Sequence, residues 1–213
     1  MPILHGVNLS PFVRKVRVAL AEKGIPYQQE PVMPMGQSEE FMKMSPLGKI
    51  PVYQEGDFTL PDSSCIIAYL ERAHPDPALY PEDPKQFARA LWYEEYCDTR
   101  LVEATVPVFF QRFVRPNLLK QEPDEAIVQE ALTEKLPPVC DYLEGEIGDR
   151  EVLVGSHFSV ADIAATTTFV NMDLCGWSVD AARWPQLAAY VERVHARPSY
   201  KAIIEEEKAS TGR

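Results

Sequence analysis

Apolar positions along the first third of the chain change period several times. Ile3-Leu4-His5 is a short apolar run with strand character. From Pro11 to Lys23 the spacing becomes helical: Val13, Val16, Ala19 and Leu20 share one face, and the pattern turns Arg14, Lys15, Glu22 and Lys23 toward water. Gly24 and Pro26 supply the stop. Tyr27 to Val32 then predicts a second strand, and a β-α-β unit of this length requires parallel strands with a right-handed crossover. Met33 to Ser45 is less regular, with room for a short helix. Pro51-Val52-Tyr53-Gln54 and Phe58-Thr59-Leu60 predict two strands joined by a turn at Glu55-Gly56-Asp57. Asp62-Ser63-Ser64 caps a helix that buries Ile66, Ile67 and Leu70 and stops before Pro75.

Four prolines fall between Ala73 and Pro84, and the pattern changes there. Beyond them no strand pair is apparent. Helical periodicity covers Lys85 to about Val114, Asp124 to Glu146 with a bend or break at Pro137-Pro138, Phe158 to Leu174, Trp184 to Ala196, and Ser199 to Lys208. The expected organisation is an α/β domain over residues 1–76, a linker over 77–84 and an all-helical domain over 85–213.

Composition narrows the function. The chain has 213 residues, 46% of them hydrophobic, enough for two small domains with ordinary cores. A net charge of −11 argues against nucleic acid and against anionic membrane surfaces, both of which need clustered Lys and Arg. No run reaches the ~18 apolar residues of a membrane span, and Met1-Pro2-Ile3-Leu4-His5 lacks the pattern of a targeting segment. Cys65, Cys97, Cys140 and Cys175 fit no zinc or CxxC spacing and read as buried thiols of a cytoplasmic protein. His5, His74, His157 and His195 show no ligand spacing, so no metal is expected. Glu94-Glu95 and Glu205-Glu206-Glu207 read as solvated faces, and Trp92, Tyr93, Tyr96, Phe109, Phe110 and Phe113 as core with some members facing a pocket or a second subunit.

The β-α-β-β-β-α order suggests a thioredoxin-like domain with a mixed sheet. Its first strand-to-helix turn is Asn8-Leu9-Ser10-Pro11. Ser10 suits an N-cap, with Pro11 at the first helical position. Redox proteins of this fold carry Cys-x-x-Cys there; Ser10-Pro11-Phe12-Val13 has neither sulfur, so any thiol chemistry needs a ligand's thiol. In Ser45-Pro46-Leu47-Gly48-Lys49-Ile50-Pro51-Val52, Pro51 opens a strand, and a cis bond before it would turn the Ile50 N–H and C=O outward to pair with an extended peptide. At Asp62-Ser63, free N–H groups of a helix start and the Ser63 hydroxyl suit a carboxylate, and Asp62 suits an ammonium. Each motif also has a plain structural use: a cap, a rigid loop, a second cap.

Together, "SPFVRKVRVALAEKG", "SPLGKIPV" and "DSSCIIAYLE" resemble the cytosolic glutathione transferase family, in the manner of a serine-type bacterial member, over the whole chain. The resemblance implies a thioredoxin-like glutathione-binding domain, a helical domain contributing the electrophile pocket, and a homodimer. Glutathione is then the co-substrate, with no metal. Pro51 corresponds to the family's cis-proline, Ile50 to the residue pairing with the cysteinyl part, and Asp62-Ser63 to the pair holding the γ-glutamyl end. Lys49 fits a basic contact to the ligand. Ser159-Val160-Ala161-Asp162 matches a capping box that the family uses for folding, with Phe158 and Ile163 as its hydrophobic staple.

The implied reaction is attack of a glutathione thiolate on a small hydrophobic electrophile. Ser10 matches the activating serine position, and Asn8 is a second candidate to meet the sulfur. A thiol starts near ~8.5, and lowering it by ~2 units takes ~2.7 kcal/mol. A hydrogen bond to a charged acceptor supplies ~1.5–3 kcal/mol, and a helix N-terminus adds ~0.3–1 kcal/mol. Peroxidase activity toward organic hydroperoxides at the same site, and a non-catalytic binding or regulatory role, are the alternatives.

Overall fold

The computed structural model describes residues 1–212, which form two compact units: Met1–Tyr80 together with the segment from Pro198 onward, and Pro81–Arg197. In the first unit the order is β1 (Ile3–His5), α1 (Pro11–Glu22), β2 (Gln28–Glu30), α2 (Glu39–Met44), β3 (Val52–Glu55), β4 (Phe58–Pro61) and α3 (Ser63–Ala73). The strands lie in the order β2-β1-β3-β4. β1 and β2 are parallel, as a β-α-β crossover demands, and the β1–β3 and β3–β4 pairs are antiparallel. This is the thioredoxin-like mixed sheet expected from the pattern. β2 is shorter than the Tyr27–Val32 run because it is an edge strand of polar sequence.

The charged positions of α1 depart from the expected amphipathic helix. Arg14, Lys15, Arg17 and Lys23 are buried rather than solvated. For the two arginines the reason is α10 (Pro198–Thr211), which belongs to the first unit and not, as periodicity suggested, to the helical remainder. Glu207 on α10 is fully buried, and its carboxylate receives Arg14 Nε and Nη2 at 3.0 and 2.6 Å and Arg17 Nη1 at 3.2 Å. Glu206 beside it receives Arg17 Nη2 at 2.5 Å. The expected solvated face at Glu205-Glu206-Glu207 is thus wrong at one of its three positions: Glu207 is an interior charge, whereas Glu205 and Glu206 are exposed. Ser199 also donates to Glu22 at 2.5 Å, so both ends of α10 are fastened to α1. At the far end of α1, Lys23 Nζ bonds Glu71 at 2.8 Å and the carbonyls of His74 and Pro77 at 2.7 and 2.9 Å.

The second unit is helical: α4 (Pro84–Tyr96), α5 (Val102–Phe109), α6 (Glu125–Glu130), α7 (Leu136–Ile147), α8 (Val160–Leu174) and α9 (Pro185–His195). Wider π-helical stretches at Cys97–Leu101, Phe110–Leu119 and Ala131–Lys135 follow α4, α5 and α6. Pro137 and Pro138 fall in the first turn of α7, directly after the wider turns of Ala131–Lys135. α8 is buried on every face from Val160 to Met172, so it is the core of this unit. Its capping box forms as expected. Asp162 accepts from the N–H of Ser159 at 2.8 Å and the N–H of Leu153 at 2.8 Å, and from the hydroxyls of Ser159 and Tyr190 at 3.1 and 2.7 Å. Of the aromatic residues, Tyr93 and Phe113 are core, and exposed Trp92 donates to the Tyr142 hydroxyl at 2.9 Å. Glu94, expected in a solvated face, is buried. Cys97 and Cys140 are buried thiols; Cys65, expected to be buried, is exposed. Burial pushes the Cys140 thiol up to about 12, which leaves it inert.

Candidate functional site

Strand register assembles the three motifs. His5 of β1 faces Val52 of β3, and Val52 faces Pro61 of β4. The chain leaving β1 at Gly6, the chain entering β3 at Pro51 and the chain leaving β4 at Asp62 therefore meet at one end of the sheet. Neighbouring strands lie about 4.8 Å apart, so the row spans about 10 Å.

Gly6 shows how tightly the first two motifs converge. A Cβ on Gly6 would lie 2.5 Å from Val13 Cγ2 and 3.3 Å from Ile50 Cβ, and its φ is +147°. Only glycine lets α1 and the loop before β3 close on the end of β1. Both polar groups of Gly6 are fixed, its N–H to Glu30 O at 2.9 Å and its C=O to Gln29 Nε2 at 2.7 Å.

Ser10 is the N-cap of α1, with Pro11 at the first helical position. The Val13 N–H reaches Ser10 Oγ at 3.4 Å. In that bond the hydroxyl accepts, so its proton is unspent, and it finds no acceptor among the described residues. Asn8 stands differently: its Nδ2 donates to Glu206 Oε1 at 2.7 Å. The two candidates for meeting a sulfur are thus separated by how their donors are engaged.

The Ile50–Pro51 bond is cis. Among the described residues neither the Ile50 N–H nor its C=O has a hydrogen-bond partner. The loop before it is braced by Ser45, a buried residue whose hydroxyl donates to Lys49 O at 2.7 Å and accepts from Lys49 N–H at 3.1 Å. That leaves the Lys49 side chain exposed. Gln37 Nε2 adds a bond to Gly48 O at 2.6 Å.

Asp62 has φ +78°, rare for a residue with a Cβ, and caps α3. Its Oδ1 accepts from the N–H groups of Ser64 and Cys65, both at 3.0 Å. Fewer free N–H groups therefore remain at this helix start than the motif suggested. The Ser63 N–H and hydroxyl are without a partner among the described residues. Behind the site, fully buried Lys15 donates from Nζ to Ser64 Oγ at 3.3 Å and ties α1 to α3. Ser45, Lys15 and the Asn8–Glu206 bond escaped the sequence reading. A serine four residues before a lysine is a usable loop signal, whereas the other two depend on partners 49 and 198 positions away.

Residues 4–78 match the glutathione S-transferase N-terminal domain and residues 125–193 the C-terminal domain. Glutathione S-transferase theta-3 of Mus musculus is 31% identical over 86% of this chain and 77% of its own. The chain belongs to the glutathione S-transferase family. It is an enzyme of the glutathione transferase class. A solved glutathione S-transferase from Rhodospirillum rubrum superposes with a TM-score of 0.86 at 29% identity, covering 95% of this chain and 91% of that one. One from Methylobacterium radiotolerans, solved in complex with glutathione sulfonate, gives 0.78 at 32% identity over 95% and 94% of the two chains. Among the described residues no helix is long and apolar enough to cross a membrane, and no group of three or more His, Cys, Asp or Glu stands together to hold a metal ion.

Proposed function

We propose that this transferase binds glutathione along the row Ser10, Ile50-Pro51 and Asp62-Ser63, and ionises its thiol for attack on a small hydrophobic electrophile. The observation that carries the reading is the set of unpaired polar groups at one end of the sheet: the Ser10 proton, the Ile50 N–H and C=O, and the Ser63 N–H and hydroxyl. Nearly all buried backbone polar groups in folded proteins are paired, and Ile50 and Ser63 are both buried residues. An extended tripeptide spans at most about 10 Å, the length of the row.

In this reading the cysteinyl backbone pairs with Ile50 as an added strand. The γ-glutamyl carboxylate takes the Ser63 N–H and hydroxyl at the positive end of α3, and its ammonium takes the open oxygen of Asp62. Exposed Lys49 suits the remaining carboxylate. The thiol then lies beside Ser10, whose hydroxyl keeps its cap bond and donates its proton toward the sulfur. Cap and activator do not compete, because one uses a lone pair and the other the hydrogen. The thiol proton leaves to solvent, the sulfur forms the new bond to the electrophilic carbon, and the carbon's leaving group departs or its π electrons move onto an adjacent atom. Four free cysteines support a reducing, cytoplasmic setting. Exposed Phe58 on β4, and exposed Phe87 and Leu91 one turn apart on α4, support a homodimer.

The test is a titration of thiolate absorbance in the glutathione complex. Ser10→Ala should leave glutathione affinity close to that of the parent and raise the bound thiol's pKa by roughly 1–2 units, the value of one charge-assisted hydrogen bond. A variant that titrates like the parent removes Ser10 from the mechanism.

A further inference from the structure

We infer that Glu206, on the C-terminal helix α10, is a positioning residue for the loop that presents Ser10. The inference rests on the reading of Ser10 as the thiolate's donor. Val7-Asn8-Leu9-Ser10 is a β-turn, closed by the Ser10 N–H on Val7 O at 3.1 Å. Its flanks are fixed: Gly6 by the bonds to Glu30 and Gln29, and the far side by the Arg14 N–H on Ser10 O at 2.9 Å. Asn8 occupies a central corner of the turn, and Glu206 Oε1 holds its amide at 2.7 Å. Fixing the corner fixes the direction in which the last residue of the turn points.

Glu206 is itself oriented. Its other oxygen, Oε2, receives Arg17 Nη2 at 2.5 Å, and Arg17 is held in turn by Glu207 at 3.2 Å and by the Tyr27 hydroxyl at 3.0 Å. The chain Tyr27–Arg17–Glu206–Asn8 therefore runs through buried Arg17 to the turn. Arg17 also neutralises the carboxylate. A bare negative charge beside the turn would oppose thiolate formation, whereas a paired one can hold Asn8 without that penalty. The arrangement gives Asn8 a different task from Ser10: its amide serves the tether, and the hydroxyl serves the sulfur. It also gives the last helix of the chain a part in a site built from the first seventy residues.

Four variants decide it: Glu206→Ala, Glu206→Gln, Asn8→Ala with Glu206→Ala, and Ser10→Ala as reference. Glu206 is 55% exposed at its side chain, and Arg17 keeps Glu207 in its absence, so the fold should persist, with melting temperature as the check. Glu206→Ala should raise the bound thiol's pKa by roughly half a unit, a threefold loss of thiolate at pH values below it, with glutathione affinity unchanged. Glu206→Gln still offers an oxygen to Asn8 and should recover most of the loss. The double variant should be no worse than Glu206→Ala. A Glu206→Ala thiol that titrates like the parent, while Ser10→Ala shifts, overturns the positioning role alone. A double variant clearly worse than Glu206→Ala, or Gln no better than Ala, overturns it as well. If Ser10→Ala itself causes no shift, the reading of Ser10 fails and this inference falls with it.

Discussion

Each unit fastens a helix through a buried carboxylate, but the two carboxylates are satisfied in different ways. Glu207 in the first unit meets two guanidinium groups, from Arg14 and Arg17. Asp162 in the second meets two N–H groups and two hydroxyls, all neutral. The first is an ion cluster that joins segments about 190 residues apart; the second is chiefly a local capping box reinforced by Tyr190. A charge balanced by charge depends on every partner being present. A charge solvated by neutral dipoles carries its desolvation in its own protonation, and burial duly pushes the Asp162 carboxyl above the ordinary carboxylate range.

The comparison breaks most severely at Glu207. Glu207→Ala takes the Glu207 carboxylate from buried Arg14 and leaves Arg17 only its pair with Glu206, and should cost about 3–5 kcal/mol, read by urea unfolding. Asp162→Ala strands neutral donors instead and should cost about 3 kcal/mol. If Asp162→Ala proves the more damaging, the ranking of charged over neutral partners is wrong for this protein.

Dependence on pH sharpens it next. Between the ordinary carboxylate range and the raised value of Asp162, the folded state keeps a proton that the unfolded state has released. Stability contributed by this group therefore falls as pH rises through that window. Unfolding free energies measured across it should show the slope in the parent and lose it in Asp162→Asn.

The smallest effect separates the two serine caps. Ser159 sits in a reciprocal box, and Ser159→Ala should cost about 1 kcal/mol. Ser10 accepts at 3.4 Å, a long bond, and Ser10→Ala should cost about 0.5 kcal/mol or less while altering the bound thiol. Equal losses of stability would make Ser10 a cap of the ordinary kind.

Fold and site were unequally legible. The crossover, the hairpin and the capped α3 follow from local periodicity and turn residues, and the cis Ile50–Pro51 bond from its place at a strand start. The three motifs could be named from their residue types, and strand register then put them in one row. Glu206 and Glu207 could not be read this way. Three consecutive glutamates have no local pattern that singles out the one buried member from the two exposed ones, and the arginines that decide the matter lie on α1. Cys65 and Glu94 failed for the same reason, since exposure at a single helical position depends on what packs against it.

What the sequence determined by itself was therefore local: where helices start and stop, where the strands fall, which residue types stand at each turn. Those outcomes are set by backbone dihedrals, caps and period, whose range is a few residues. The tertiary structure alone decided that α10 belongs with the first unit, that α1 buries its charges, and that Asn8 is tethered while the Ser10 proton stays free. Each of these is a pairing of polar groups far apart in the chain, and a buried charge is tolerable only once its partner has arrived.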